Sequence, residues 1–252
     1  MNYVFFGKRY LSQKLKARGE NMNQKLVMPK TTADRLMDSR IVWLNGEVND
    51  ESAYDVASKL LVLSGQDAEK DIYFFINSPG GSVTSGCMLL DTMNLIPNDV
   101  VTIGSGMAAS MGQFLLTQGA PGKRFATPLL RVLLHQPLGG AGGSADDILI
   151  NAELINDMKK VLAGETAKRT GHSIEKVIDD GDRDNWFNSE EALDYGFVDH
   201  IVSGNMNEIM EICAKVDKEK GTKAYDKYLK KAPATKKPRA KKTVSKDDKG
   251  VK

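Results

Sequence analysis

Ser110 stands in the run Gly104-Ser105-Gly106-Met107-Ala108-Ala109-Ser110-Met111-Gly112, where small residues lead out of an apolar stretch into a helical pattern. A serine near a helix N-terminus can act as a nucleophile. The helix dipole and the free N–H groups of the first turn favour negative charge on a reacting oxygen there, and the small neighbours let a substrate backbone approach. The pattern is not the GxSxG elbow, and small residues at a helix start also serve plain packing. A nucleophilic serine needs a base, and the chain has three histidines, His135, His172 and His200. His135 closes the apolar run 131–135 and precedes Gln136-Pro137, so it falls at the same edge of a sheet as Ser110. His172 sits in a loop pattern, and His200 falls inside the run 197–202. The acid that would orient the imidazole is sought in Asp182-Arg183-Asp184-Asn185, with Asp184 as candidate; nearby Asp179, Asp180 and Asp182 leave that choice open on local sequence. Asn77-Ser78-Pro79-Gly80-Gly81-Ser82 offers a strand-to-helix turn in which two glycines expose backbone N–H groups to an anion or a developing oxyanion.

The elements that must carry these residues alternate. Runs 41–44, 72–76, 100–103, 131–135 and 197–202 read as strands. Segments 50–63 (behind an Asn49/Asp50 cap), 82–96, a stretch starting near Ala108, and a long segment 145–169 read as helices. Strands separated by helices of this length need crossovers, so the expected fold is α/β with a largely parallel sheet. Ligands then gather at the carboxyl ends of the strands.

Composition bounds the rest. The chain has 252 residues, 41% hydrophobic and 27% charged, which suits a globular domain and excludes fibrous classes. No run approaches a membrane span. Two cysteines, Cys87 and Cys213, have neither metal-ligand nor CxxC spacing. The net charge of +2 conceals an acidic body of −8 and a tail, residues 215–252, of +10. That tail, including the Lys- and Pro-rich stretch 230–242, is expected to be disordered and solvated. Nucleic-acid binding through it is not the expected role. Residues 1–30 read as a variable extension with a second possible start at Met22, and the body as a domain over 31–214.

Three other chemistries are weighed. Asp180, Asp182, Asp184 and Glu191 nearly match a calcium loop, with Asn185 where glycine belongs. Gly140 to Ala145 matches a G-x-G-x-x-A dinucleotide fingerprint, but no strand-helix-strand unit follows it. Gly119-Ala120-Pro121-Gly122-Lys123-Arg124 is too short for a phosphate loop and lacks its Ser/Thr.

The order Ser-Pro-Gly-Gly, Ala-Ala-Ser110-Met-Gly, Gly-Lys-Arg, His135-Gln-Pro-Leu-Gly-Gly, Asp-Arg-Asp184 and Glu-Ala-x-x-Tyr-Gly-Phe-Val-Asp strongly resembles the proteolytic subunits of the Clp protease, the ClpP family, over about residues 34–202. The resemblance implies a ClpP/crotonase-like fold whose long helix protrudes as a handle. It implies Ser110 as nucleophile, His135 as base, Asp184 as acid, and the backbone N–H groups of Gly81 and Met111 as oxyanion donors. It implies a cytoplasmic serine endopeptidase that needs no metal or cofactor of its own. Short peptides would be cut by the barrel alone. Unfolded polypeptides would be delivered by a hexameric AAA+ unfoldase that spends the ATP. The barrel would be two stacked heptameric rings of one chain or of two paralogous chains. Tyr73 and Phe75 fall where the family forms part of a pocket for unfoldase loops. A crotonase-like acyl-CoA enzyme and a noncatalytic barrel subunit are the alternatives. Leu129-Leu130 and the segment 139–144 depart from the family's usual residues, which bears on substrate preference and ring contacts.

Overall fold

The computed structural model describes residues 30–229; the expected extension 1–30, apart from residue 30, and residues 230–252 of the expected tail lie outside them. Helix α1 (Thr32–Asp38) belongs to a unit ending at Asp38. The unit from Ser39 onward holds everything below.

Strand β1 (Ile41–Asn45) is followed by helix α2 (Asp50–Gln66), which begins as the sequence predicts at Asn49. The Asn49 side chain accepts from the Ser52 N–H while Ser52 reaches back, a reciprocal cap. Its buried residues Ala53, Val56, Ala57, Leu60 and Leu63 fall at helical spacing and form one face against the sheet. Strand β2 (Ile72–Ser78) leads through the double-glycine turn into α3 (Val83–Leu95). Strand β3 (Val100–Ala109) runs six residues beyond its expected end, so helix α4 (Met111–Thr117) starts at Met111 rather than near Ala108. Strands β4 (Arg124–Ala126) and β5 (Arg131–Leu134) follow, then the long helix α5 (Ala145–Thr170). Helix α6 (Ile174–Asp180), strand β6 (Asn185–Phe187), helix α7 (Ser189–Tyr195), strand β7 (His200–Ile201) and helix α8 (Met206–Glu219) complete the order. The expected last strand over 197–202 is therefore only the pair His200–Ile201 within it.

The seven-stranded sheet has the order β1-β2-β3-β4-β7, all parallel, as expected from the crossovers. Its decisive feature lies within β3. Residues 102–104 pair with β4, whereas Met107–Ala109 pair with β5. Between these halves the register against β2 slips, with Ile76 opposite Gly104 but Ser78 opposite Ala108. The two extra residues make a bulge, where Gly106 takes φ +74° and Asn77 Oδ1 accepts from the Met107 N–H at 3.2 Å. The bulge turns the end of β3 onto a new neighbour, β5, which carries the antiparallel strand β6 on its other side.

α5 starts on a Ser144 cap and stops at Gly171 in the left-handed conformation. Its buried residues, Ala163, Thr166, Ala167 and Thr170, all lie in its C-terminal half, while Leu149, Ile150 and Leu154 are exposed. Among the described residues no helix is long and apolar enough to cross a membrane.

The boundary expected at residue 215 falls inside α8. That helix lays Ile209 and Cys213 against Tyr73, Val101, Ile103 and Phe125, with Ile212 and Phe75 at the margin. Lys123 is wholly buried, and its ammonium meets Asp71 at 2.8 Å, Asp99 at 2.8 Å and Asp217 of α8 at 2.7 Å. Burial outweighs the lysine at Asp71 and pushes its carboxyl up. At Asp99 burial also pushes up, but Lys123 and Lys220 more than offset it and hold the group below its usual range. Residues 215–229 are thus held by charge pairing and apolar contact that local composition does not reveal. Replacing Lys123 by Met should leave three carboxylates facing one another and destabilise the fold by about 3–5 kcal/mol, read from denaturant unfolding.

Candidate active site

β3 ends at Ala109, and the chain must turn at once to begin α4. Ser110 makes that turn with φ 54° and ψ −119°, and with Arg40 it is one of two non-glycine residues at positive φ among those described. Such a backbone costs of order 1–3 kcal/mol and persists only where neighbours over-determine it. The Ser110 N–H donates to Leu133 O of β5 at 3.0 Å, and its carbonyl accepts the first helical bond from Phe114 at 2.9 Å. Its side chain makes no capping bond, so the hydroxyl is not used to satisfy the helix.

The double-glycine turn packs directly against this corner. A Cβ on Gly80 would stand 2.6 Å from the Ser110 Cβ and 2.7 Å from Ala109 O, so only glycine fits. Gly81, at φ +145°, is opposite Val48 in a parallel bridge. Val48 N–H donates to Gly80 O at 2.8 Å, and Ser82 N–H donates to Val48 O at 2.7 Å. In that pattern the bonds come from the residues flanking Gly81, whose own N–H is directed away from Val48. Met111 is the first residue of α4, so its N–H has no acceptor within the helix. Its nitrogen lies 3.0 Å from where a Gly80 Cβ would stand. The glycine turn and the start of α4 are therefore in contact.

His135 follows β5 directly, at the edge to which β3 delivers Ser110. Its Nδ1 lies 3.1 Å from Asp184 Oδ1, across 49 residues of chain. Asp184 immediately precedes β6, and the β5–β6 pairing, Leu134 opposite Asn185, sets histidine and aspartate side by side. Gln136 tightens this junction. Its N–H donates to Gly181 O at 2.7 Å, and its Nε2 donates to Asp182 O at 3.0 Å. The imidazole is largely enclosed, its side chain 15% exposed, whereas Asp184 is 66% exposed. An ionised carboxylate is acceptor only, so it holds the proton on Nδ1 and leaves the Nε2 lone pair free to take another.

Ser110, Met111, His135 and Gln136 line one cleft, together with apolar Phe114, Leu162, Val177 and Ile178. Of the five residues singled out from the sequence, Ser110, Met111 and His135 line this cleft, Asp184 reaches it through His135, and Gly81 follows the Gly80 that packs against Ser110. His200 is elsewhere. It stacks on Phe125 and donates from Nε2 to Gly122 O at 3.1 Å, and burial holds its pKa below the usual value. Gly80, Gln136 and Lys159, which belong to the site's surroundings, carry no local signal beyond the motifs they sit in.

The competing chemistries lose their residues to other tasks. Asn185 pairs in β6, Asp180 accepts from Tyr195 and Lys176, and Glu191 caps α7 at Asn188, which dissolves the calcium loop. Among the described residues, the acidic groups whose oxygens converge are Asp71, Asp99 and Asp217, and Lys123 already sits among them. That lysine belongs to no phosphate loop. The Gly140 segment is preceded by β5 and followed, after α5 and α6, by the antiparallel β6, so no parallel dinucleotide unit exists there.

Gly80→Ala should push Ser110 off its corner. Labelling of Ser110 by a fluorophosphonate, followed by mass spectrometry, should fall at least tenfold while the far-ultraviolet circular dichroism is retained.

The Clp protease family matches residues 24–205. The chain is 60% identical over 168 residues to ATP-dependent Clp protease proteolytic subunit 1 of Leifsonia xyli, covering 67% of this chain and 85% of that protein. It is 55% identical over 172 residues to proteolytic subunit 2 of Tropheryma whipplei, covering 68% and 96%. It is 50% identical over 181 residues to proteolytic subunit 1 of Mycobacterium tuberculosis, covering 72% and 90%. A cleft lined by both a strained serine and a histidine, and a likeness that runs through every strand of the sheet, lead to one assignment: this chain belongs to the Clp protease family and is a serine endopeptidase.

Proposed function

We propose that Ser110, His135 and Asp184 form the catalytic triad, with the N–H groups of Gly81 and Met111 as the oxyanion hole. The observation that carries this reading is the 3.1 Å contact between His135 Nδ1 and Asp184 Oδ1, in a cleft that Ser110 also lines. His135 Nε2 takes the Ser110 proton as Oγ attacks a peptide carbonyl. The tetrahedral oxyanion accepts from Gly81 and Met111, and one such donor is worth about 2.7–4 kcal/mol in a comparable site. The protonated imidazole, stabilised by Asp184, returns its proton to the leaving amine as the C–N bond breaks. Water, deprotonated by His135, then attacks the acyl-enzyme ester, and the proton passes back to Ser110 Oγ as the acid product departs. No residue in this sequence of steps requires a metal or a cofactor.

The substrates we propose are unfolded polypeptides, fed by a hexameric ATP-driven unfoldase in the cytoplasm, with short peptides cut in its absence. The relatives are named as subunits of ATP-dependent proteases, and the lysine of the Gly-Lys-Arg motif is taken up by aspartates, so we assign ATP hydrolysis to the partner. Two stacked heptameric rings are the assembly we propose. Exposed Leu149 (63%), Ile150 (65%) and Leu154 (55%) on the long helix support a covered face of that kind. Native mass spectrometry, alone and with a second subunit type, tests the assembly and its composition.

Ser110→Ala and His135→Ala should each lower kcat for a fluorogenic peptide by about 10⁶, and Asp184→Asn by about 10⁴. Turnover by Ser110→Ala within tenfold of the unaltered chain would overturn the triad. Absent turnover in the unaltered, assembled chain would favour a noncatalytic subunit.

A further inference from the structure

The cleft beside Ser110 has apolar walls, Phe114, Leu162, Val177 and Ile178, but one lysine, Lys159, is among the residues that line it, and its ammonium is bonded to Gln136, another lining residue. Lys159 projects from α5 and donates to Gln136 Oε1 at 2.7 Å. Its charge is unmatched on its own helix. The positions three and four residues away are Ile155, Asn156, Leu162 and Ala163, none acidic. The neighbouring lysines differ: Lys160 pairs with Asp157 at 3.3 Å and Lys168 pairs with Glu165. Among the described residues no carboxylate lies within ion-pair distance of Lys159, which is half-buried and held by a neutral amide oxygen.

We propose that Lys159 is a specificity-determining residue that favours peptides with a glutamate on the amino-terminal side of the bond that is cut. This rests on the triad reading above, which makes the cleft the seat of that side chain. Two methylenes of a glutamate match the apolar walls, and its carboxylate offers the ammonium a charged acceptor in place of a neutral one. A charge-assisted bond of this kind is roughly twice as strong as a neutral pair. A glutamine at the same position has the same shape and no charge, so the Glu-to-Gln comparison isolates the interaction. The rival role is mechanical: Lys159 could simply brace Gln136, which holds the Asp182–Asp184 loop by the bond to Asp182 O. A brace would affect every peptide alike.

The assembled chain is assayed on three peptides that differ only in having Glu, Gln or Leu at that position, as the unaltered protein and as Lys159→Met. The Glu-to-Gln ratio of kcat/KM should be about 10 or more in the unaltered protein and should fall to about 1 in Lys159→Met, whatever the absolute rates. A ratio near 1 in the unaltered protein, or an equal loss on all three peptides in Lys159→Met, overturns the proposal. A second measurement does not depend on turnover. The Ser110→Ala protein, titrated with product peptides ending in Glu or Gln, should bind the former about tenfold more tightly, and Lys159→Met in that background should remove the difference. Equal affinities overturn the proposal. Preferential binding by Lys159 without cleavage of any peptide by the unaltered chain would instead retire the triad reading and leave the charge recognition standing.

Discussion

Ser110 occupies a backbone conformation that an L-residue avoids, and the surrounding sheet is arranged so that it has no other choice. The residue closes β3 and opens α4 in a single step. Its N–H is anchored to Leu133, its carbonyl starts the helix, and Gly80 presses against it from the other side. Each contact comes from a different part of the chain. Relaxing φ at Ser110 would break the bond to β5 or drive it into the glycine turn, so the strain is distributed over the core rather than absorbed locally. The same constraint leaves the hydroxyl free of capping duty, on a residue that lines the cleft together with His135.

The change of partner within β3 makes this corner possible. A strand paired with β2 and β4 throughout would deliver its carboxyl end to a continuous sheet, with no room for a histidine-bearing strand beside it. The bulge at Gly106 and the Asn77 side chain that closes it let β5 replace β4. β6 then adds antiparallel to β5, and the pairing of Leu134 with Asn185 carries Asp184 to His135. Ser110, His135 and Asp184 are thus brought to this end of the sheet by hydrogen-bonded register.

Away from the corner, a buried charge cluster performs the corresponding task for the carboxyl-terminal helix. Lys123 ties Asp71, Asp99 and Asp217 together, while the adjacent Arg124 donates from Nε to Asp199 at 2.8 Å and from Nη1 to Gly196 O at 2.9 Å. These bonds join β4 to the ends of β2, α7 and α8. A lysine left without its carboxylates here would be an uncompensated buried charge, so the cluster specifies where α8 docks as much as how firmly. The helix in turn shields Tyr73, Val101, Ile103 and Phe125 from water.

Much of this molecule was legible from its residues. Apolar runs announced β1, β2 and β5, the Asn49 cap marked its helix, and the crossover argument led to a parallel sheet, because these features depend on near neighbours in the chain. The motifs also pointed to Ser110 and His135 at a common sheet edge. Local reading failed at the short strands β4 and β6, at the second half of β3, and at the helix spanning residue 215, where pairing across the fold overrides a weak or contrary local pattern. It could not separate Asp184 from Asp179, Asp180 and Asp182 either, since adjacent carboxylates look alike until a partner selects one. The amino-acid order by itself determined which chemical groups exist and which segments alternate as strand and helix; only the tertiary structure decided which aspartate meets the imidazole and which lysine stands unmatched in the cleft, because those choices depend on distances between residues far apart in the chain.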